Sequence, residues 1–397
     1  MNQFWPPWHH LELTMTRAAT CRSNSTLALL LAVAIACAVL VVDAGCVLAP
    51  LPAGSRVRTA NVLVVTLDGW RWQELFGGAD RKLFSRRDQD GEGSATLRRF
   101  WRPSPAESRA AIMPFFWSEI AKRGQVFGNP ESRSRAHVTN GLWFSYPGYA
   151  EMLSGVADSR VDSNDKKANP NLTVLEWLEQ RPGFNGRVAA FGAWDLLPYI
   201  LNVPRSGLPA GDGFPPAPSP RTDRERAIND LAADLPPLWE GAPLDAPIMQ
   251  AALECVRTRR PRVLYVMLGE TDEWAHEKRY DLYLDAAFRA DRFIRRLWET
   301  VQSIGQYADR TALIVATDHG RGATAADWTD HGRKVPAAEE TWIAVMGPDT
   351  APLGDRAAVT VTTAQIAATV AALVGEDYRA GMPTAASFLP SVVAPSR

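Results

Sequence analysis

Five short apolar runs limit what this chain can fold into more than any other feature. Residues 61–67 (Asn-Val-Leu-Val-Val-Thr-Leu) are apolar at odd and even positions alike. A strand buried on both faces reads this way, whereas a strand with one wet face alternates. Residues 187–191, 262–268, 311–317 and 341–346 read likewise. Helical patterns lie between and after them, at 106–123, 173–180, 221–233, 247–257, 281–304 and 362–374. The last opens at Thr362-Thr363 and is closed by Gly375. Strand–helix alternation predicts an α/β fold with a central, mainly parallel sheet flanked by helices on both faces. The charged stretch 85–105 and the Pro- and Gly-rich stretch 204–247 are expected as long loop insertions in it.

Lys and Arg number 43 against 44 Asp and Glu among 397 residues, so no basic surface for nucleic acid is evident. The apolar run 27–42 follows Arg17 and Arg22. It falls short of the ~20 residues of a comfortable membrane span and suits the core of a signal peptide. Val42-Asp43-Ala44 offers a small-residue cleavage site. Residues 1–44 are therefore expected to be a signal peptide or N-terminal anchor, 45–60 a linker and 61–390 one domain. The protein is expected to be exported, periplasmic or secreted. Membrane attachment is expected only through the N-terminal segment, as an uncleaved helix or a lipidated Cys46. Beyond that point Cys255 is the sole cysteine, in an apparent helix, where a buried apolar role is expected.

Chemistry concentrates where strands end. Run 61–67 leads into Asp68-Gly69, run 262–268 into Gly269-Glu270-Thr271-Asp272 and then His276, and run 311–317 into Asp318-His319-Gly320. Strand carboxyl ends share one edge of a parallel sheet, where ligands bind. Asp330-His331 adds another acid–imidazole pair, while His137 has no carboxylate beside it and is expected to be structural. Asp and His are the ligand types that suit Zn²⁺, and the spacing of four from Asp272 to His276 puts both on one helical face. Ser145, in Ser145-Tyr146-Pro147-Gly148, would open a helix, where free N–H groups favour an anion.

This order of motifs resembles the alkaline phosphatase superfamily, in its branch of type I phosphodiesterases and nucleotide pyrophosphatases. That branch commonly has Thr-Phe-Pro where this chain has Ser145-Tyr146-Pro147. The resemblance implies an alkaline-phosphatase-like catalytic domain over 61–390 and a metal-dependent hydrolase of small-molecule phosphate esters: diesters, monoesters or phosphonate esters. It implies two Zn²⁺, other divalent metals being possible. Asp272, His276 and His331 would bind one ion; Asp68, Asp318, His319 and Ser145 the other. Ser145 would be the nucleophile and pass through a phospho-seryl intermediate. Asn164 would contact the phosphoryl group, with Asn169 as the second choice. Trp143, Tyr146 and Trp274 are expected to wall the substrate site, and Arg71 is left open as a phosphate contact.

Two other readings compete. A sulfatase would need Ser145 converted to formylglycine in a pattern with Pro at +2 and Arg at +4. Pro147 is present, but Tyr149 stands at +4. A non-catalytic exported metal-binding protein of the same fold is the other, and the complete ligand set argues against it.

Overall fold

The computed structural model describes residues 57–84, 94–211 and 214–393. The expected signal segment and most of the expected linker lie outside the described residues.

Eleven strands are described. The main sheet holds β1 (Asn61–Leu67), β2 (Gln125–Phe127), β4 (Val188–Gly192), β5 (Ala210–Gly211), β6 (Val263–Leu268), β7 (Thr311–Ala316), β9 (Ile343–Met346) and β10 (Gly354–Asp355). Its order is β10-β2-β9-β7-β1-β6-β4-β5. β1 pairs parallel with both β6 and β7, and only β9 runs against its neighbours. The sheet is thus mainly parallel, as the apolar runs imply. A second sheet joins β3 (Arg135–His137), β8 (Glu340–Thr341) and β11 (Thr360–Thr362) in the order β11-β3-β8. The run expected at 341–346 splits between the two sheets at Trp342, whose Nε1 donates to the Trp70 carbonyl at 2.8 Å.

Strand side chains alternate between faces, so each central strand feeds two cores. Leu63, Val65 and Leu67 of β1 join Leu264, Val266 and Leu268 of β6 in one. Val62 and Val64 join Val263, Tyr265 and Met267 in the other. The helices that matter here are α1 (Ser145–Ser154), α2 (Asp245–Thr258), α3 (Glu270–His276), α4 (Tyr280–Gln302) and α5 (Gln365–Leu373). Helices α2 and α4 cover the first core, and α1 and α5 the second. In α4 the buried residues Tyr283, Leu284, Ala287, Ala290, Ile294, Leu297 and Val301 recur at three- and four-residue steps, which is one helical face. Fully burying each Leu, Ile or Val among them stabilises by about 1.5–3 kcal/mol. This places Asp68, Asp272 and Asp318 at one edge of a rigid three-layer scaffold. Cys255 is buried in α2 and unpaired, with its thiol pushed up to about 12 by burial.

Candidate metal centre and nucleophile

Ser145 is the first residue of α1, behind Phe144 in extended conformation. Pro147 falls in the first turn, where a missing N–H breaks no helical bond. Gly155 ends the helix at φ 75°, its N–H donating to Glu151 O at 2.8 Å. Gly148 lets the helix lie against the end of β7: a Cβ there would stand 2.7 Å from the Asp318 carbonyl oxygen.

Ser145 Oγ lies 3.4 Å from Asp68 Oδ1 and 3.2 Å from His319 Nε2. His319 Nε2 is in turn 3.3 Å from Asp68 Oδ1 and 3.5 Å from Asp318 Oδ2. His319 Nδ1 lies 2.9 Å from the Gly320 carbonyl oxygen, so the Nδ1 hydrogen is directed there and Nε2 faces the carboxylates. Asp272 Oδ2 is 3.0 Å from His276 Nε2, and Oδ1 is 3.9 Å from His331 Nε2. The two imidazoles His276 and His331 meet at 3.0 Å, Nε2 to Nε2. The structure therefore brings together Asp68, Ser145, Asp272, His276, Asp318, His319 and His331. Ligand atoms of Asp68, Asp318 and His319 form one tight cluster, and those of Asp272, His319 and His331 another, each within 4.8 Å.

The electrostatics are those of a site short of positive charge. Burial and the nearby Asp272 raise the carboxyl of Asp68, and burial with Asp68 raises Asp318 well above the usual range. Burial opposes the charge on His319, yet Asp318 and Asp68 outweigh it and lift the imidazole to about 9. Asp318 Oδ2 is buried without a hydrogen-bond partner among the described residues. Asp272 differs. Burial works against its charge, but the Arg321 guanidinium prevails and holds it well below the usual carboxylate range.

A cavity of about 220 Å³ opens beside Ser145. Asn164, Glu273, Ala193, Trp194 and Met267 line it, together with Asp68, Asp272, His276 and His331. Asn164 Oδ1 accepts from the Tyr146 N–H at 3.1 Å, which leaves the amide nitrogen as the donor end. Burial and the neighbouring Asp272 push Glu273 up to about 8.

The other expected contacts sit elsewhere. Tyr146 is buried in the core beneath α1, its hydroxyl donating to the Lys167 carbonyl. Trp274 packs on the opposite core, edge-on to Trp239, and donates to Glu270 Oε2 at 3.1 Å. Trp143, at φ 58°, donates its N–H to Asn140 Oδ1 at 3.0 Å. None of the three is among the residues that line the cavity. Asn169 is fully buried and donates to the Ile200 carbonyl, and Arg71 is buried against Glu74 and the Gly322 carbonyl. Aromatic residues next to a site motif read the same in sequence whether they wall the pocket or pack under it.

Trp194 and Glu273 also line the cavity, and Arg321 pairs with Asp272, none of which is expected from the sequence. Trp194 follows β4, a strand the sequence does show, so its place at the strand's carboxyl end was the available signal. Arg321 directly follows the Asp318-His319-Gly320 motif, but its pairing with Asp272 has no sequence signal of its own.

The sequence profile of the family described as "Type I phosphodiesterase / nucleotide pyrophosphatase" matches residues 75–376. The chain belongs to the type I phosphodiesterase/nucleotide pyrophosphatase family. That family lies within the alkaline phosphatase superfamily, and the parallel sheet with helices on both faces is the fold of that superfamily. Among solved structures, a candidate sulfatase from Bacteroides thetaiotaomicron is similar over 84% of this chain and 74% of its own, at 13% identity and TM-score 0.54. The candidate sulfatase yidJ from Bacteroides fragilis is similar over 85% of this chain and 78% of its own, at 13% identity and TM-score 0.51. At such identities the likeness concerns the fold. No curated protein matches the sequence.

Proposed function

We propose that this family member is a metal-dependent hydrolase of phosphate esters, with Ser145 as nucleophile. The observation that carries the reading is the position of Ser145 Oγ, at the start of a helix, on a cavity, and within 3.4 Å of both Asp68 and His319. The donors suit divalent cations: three buried carboxylates, three imidazoles and an unpartnered oxygen on Asp318 form a set that cations would neutralise. Asp68, Asp318, His319 and Ser145 would hold one ion; Asp272, His276 and His331 the other. Zn²⁺ is the expected metal. When bound, the metals would supply Lewis acidity that favours the alkoxide of Ser145 and offsets charge on the phosphoryl group.

The remaining roles belong to the chain. Helix α1 fixes Ser145 Oγ for in-line attack, so one O–P bond forms as the ester O–P bond opposite it breaks. The positive end of its dipole favours the anionic group being transferred, although the Tyr146 N–H of its first turn is taken by Asn164 and Pro147 has none. Asn164, with its oxygen held by the Tyr146 N–H, would donate from its nitrogen to a phosphoryl oxygen. Water then cleaves the phospho-seryl ester and restores Ser145. Trp194 is the partly exposed apolar side chain of the lining, Ala193 and Met267 being buried, and would be the surface met by the second ester group of a diester. The apolar run 27–42 supports export, with the chemistry carried out beyond the cytoplasm.

Purified protein assayed on p-nitrophenyl phosphate and bis(p-nitrophenyl) phosphate should show turnover that a chelator removes and zinc restores. Ser145→Ala should lower kcat by about a thousandfold or more while retaining metal. Activity that survives chelation, or a Ser145→Ala enzyme at wild-type rates, would contradict the reading.

A further inference from the structure

Arg321 follows Asp318-His319-Gly320 and is wholly buried at the centre of the site. Its Nη1 donates to the Thr329 carbonyl, and its Nη2 donates to the Asp272 carbonyl at 3.1 Å and to Asp272 Oδ1. These bonds anchor the guanidinium from two sides. Gly69 makes room for the pair. At φ +57° it carries no Cβ, and one there would stand 2.6 Å from Asp272 Oδ1 and 2.8 Å from Arg321 Nε.

The oxygen that Arg321 takes matters. Asp272 Oδ1 is the one that faces His319 and His331, at 3.8 and 3.9 Å. Oδ2, 3.0 Å from His276 Nε2, is the oxygen left over. The other half of the centre has no guanidinium among the described residues, and its basic group, His319, 3.3 Å from Asp68 Oδ1 and 3.5 Å from Asp318 Oδ2, would itself be a metal ligand. Asp68 Oδ2 accepts from the neutral Tyr149 hydroxyl at 3.0 Å, and Asp318 Oδ1 from the Gly69 N–H at 3.2 Å. Two carboxylates would therefore face an ion on that side with no guanidinium on either. The single carboxylate that would face an ion on the other side is already paired with Arg321.

We propose that Arg321 is an internal cation that competes with metal for Asp272, making the Asp272–His276–His331 side the weaker of two metal sites. This rests on the binuclear reading above and adds an order of loading: the Asp68–Asp318–His319 side fills first. A fixed positive charge in a buried site disfavours a second cation directly beside it. It also holds Asp272 to one metal-facing oxygen, because a guanidinium donor occupies the other.

The test is calorimetric titration of the chelator-stripped, full-length protein with zinc chloride, with retained metal counted after dialysis. Two binding steps are expected in the wild type, separated by about tenfold or more in Kd. Asp272→Asn should remove the weaker step and keep the tighter. Arg321→Met should tighten the weaker step by about tenfold or more and leave the tighter one unchanged. Arg321→Gln, which keeps an amide donor without the charge, carries the same expectation, and circular dichroism shows whether each variant is folded. Two zinc ions bound with equal affinity by the wild type would overturn the proposal. So would folded Arg321 variants whose weaker step is unchanged, or weaker by about 10–100-fold as the loss of an orienting partner would make it. A wild type that binds no zinc at all would instead sink the metal-hydrolase reading beneath it.

Discussion

The Tyr149 hydroxyl donates to Asp68 Oδ2 at 3.0 Å, tying α1 one turn beyond Ser145 to the carboxylate that ends β1. Both residues are buried, so this bond joins helix and sheet where Ser145 meets its neighbours. Hydrogen bonds to charged groups contribute about 1.5–3 kcal/mol. Tyr149→Phe should stay folded, with a lower Tm and kcat/KM reduced by about tenfold. Steady-state kinetics and a melting curve on the same sample check this. Wild-type values of both would show that the bond positions nothing.

Glu151 holds the approach to Ser145. Its carboxylate accepts from Thr139 N and Asn140 N at 2.9 Å, from Thr139 Oγ1 at 2.8 Å and from Thr363 Oγ1 at 3.2 Å. Asn140 in turn accepts through Oδ1 from Leu142 N and Trp143 N, which shapes the turn into Ser145. Glu151→Ala would strand backbone N–H groups at a part-buried loop and cost about 2–4 kcal/mol by urea denaturation. A loss under about 0.5 kcal/mol, the size of an ordinary surface change, would contradict this.

Asp291 gives a pH dependence. It is buried on α4 and accepts from Phe115 N and Phe116 N, both at 2.8 Å, and burial pushes its carboxyl up to about 7. The unfolded carboxyl has a value of about 3.9. The folded state therefore holds the proton more tightly, and the stability this contributes is present below about pH 4 and lost as pH rises towards 7. At about 1.4 kcal/mol for each pH unit between those values, the loss is on the order of 4 kcal/mol. Urea denaturation of Asp291→Asn against wild type at several pH values should show a flatter dependence in the variant. Parallel curves would contradict it.

Much of this fold is legible in the sequence because burial on both sheet faces demands unbroken apolar runs. Run 61–67 is β1 itself, and runs 262–268 and 311–317 are β6 and β7 to within a residue. The two- and three-residue strands β2, β3, β5, β10 and β11 carry no such run, and pairing with distant partners alone makes them strands. The reversed direction of β9 is set by connection, not by composition. The acid and imidazole donors stand out because strand ends announce them. Arg321 and Glu151 do not. Buried charges are read correctly only when the partner is known, and Asp272 lies 49 positions from Arg321, Thr363 212 from Glu151. Tyr146 and Trp274 mislead for the opposite reason, since aromatic area is equally at home in a core.

With Ser145 as nucleophile, its Oγ is expected to become covalently phosphorylated during turnover. Acid quenching during steady-state turnover of p-nitrophenyl phosphate, followed by peptide mass spectrometry, tests it most directly. A phosphoryl group is expected on Ser145 alone, absent from chelated enzyme and from Ser145→Ala. Turnover with Ser145 unmodified throughout, or with formylglycine found at that position, would contradict it.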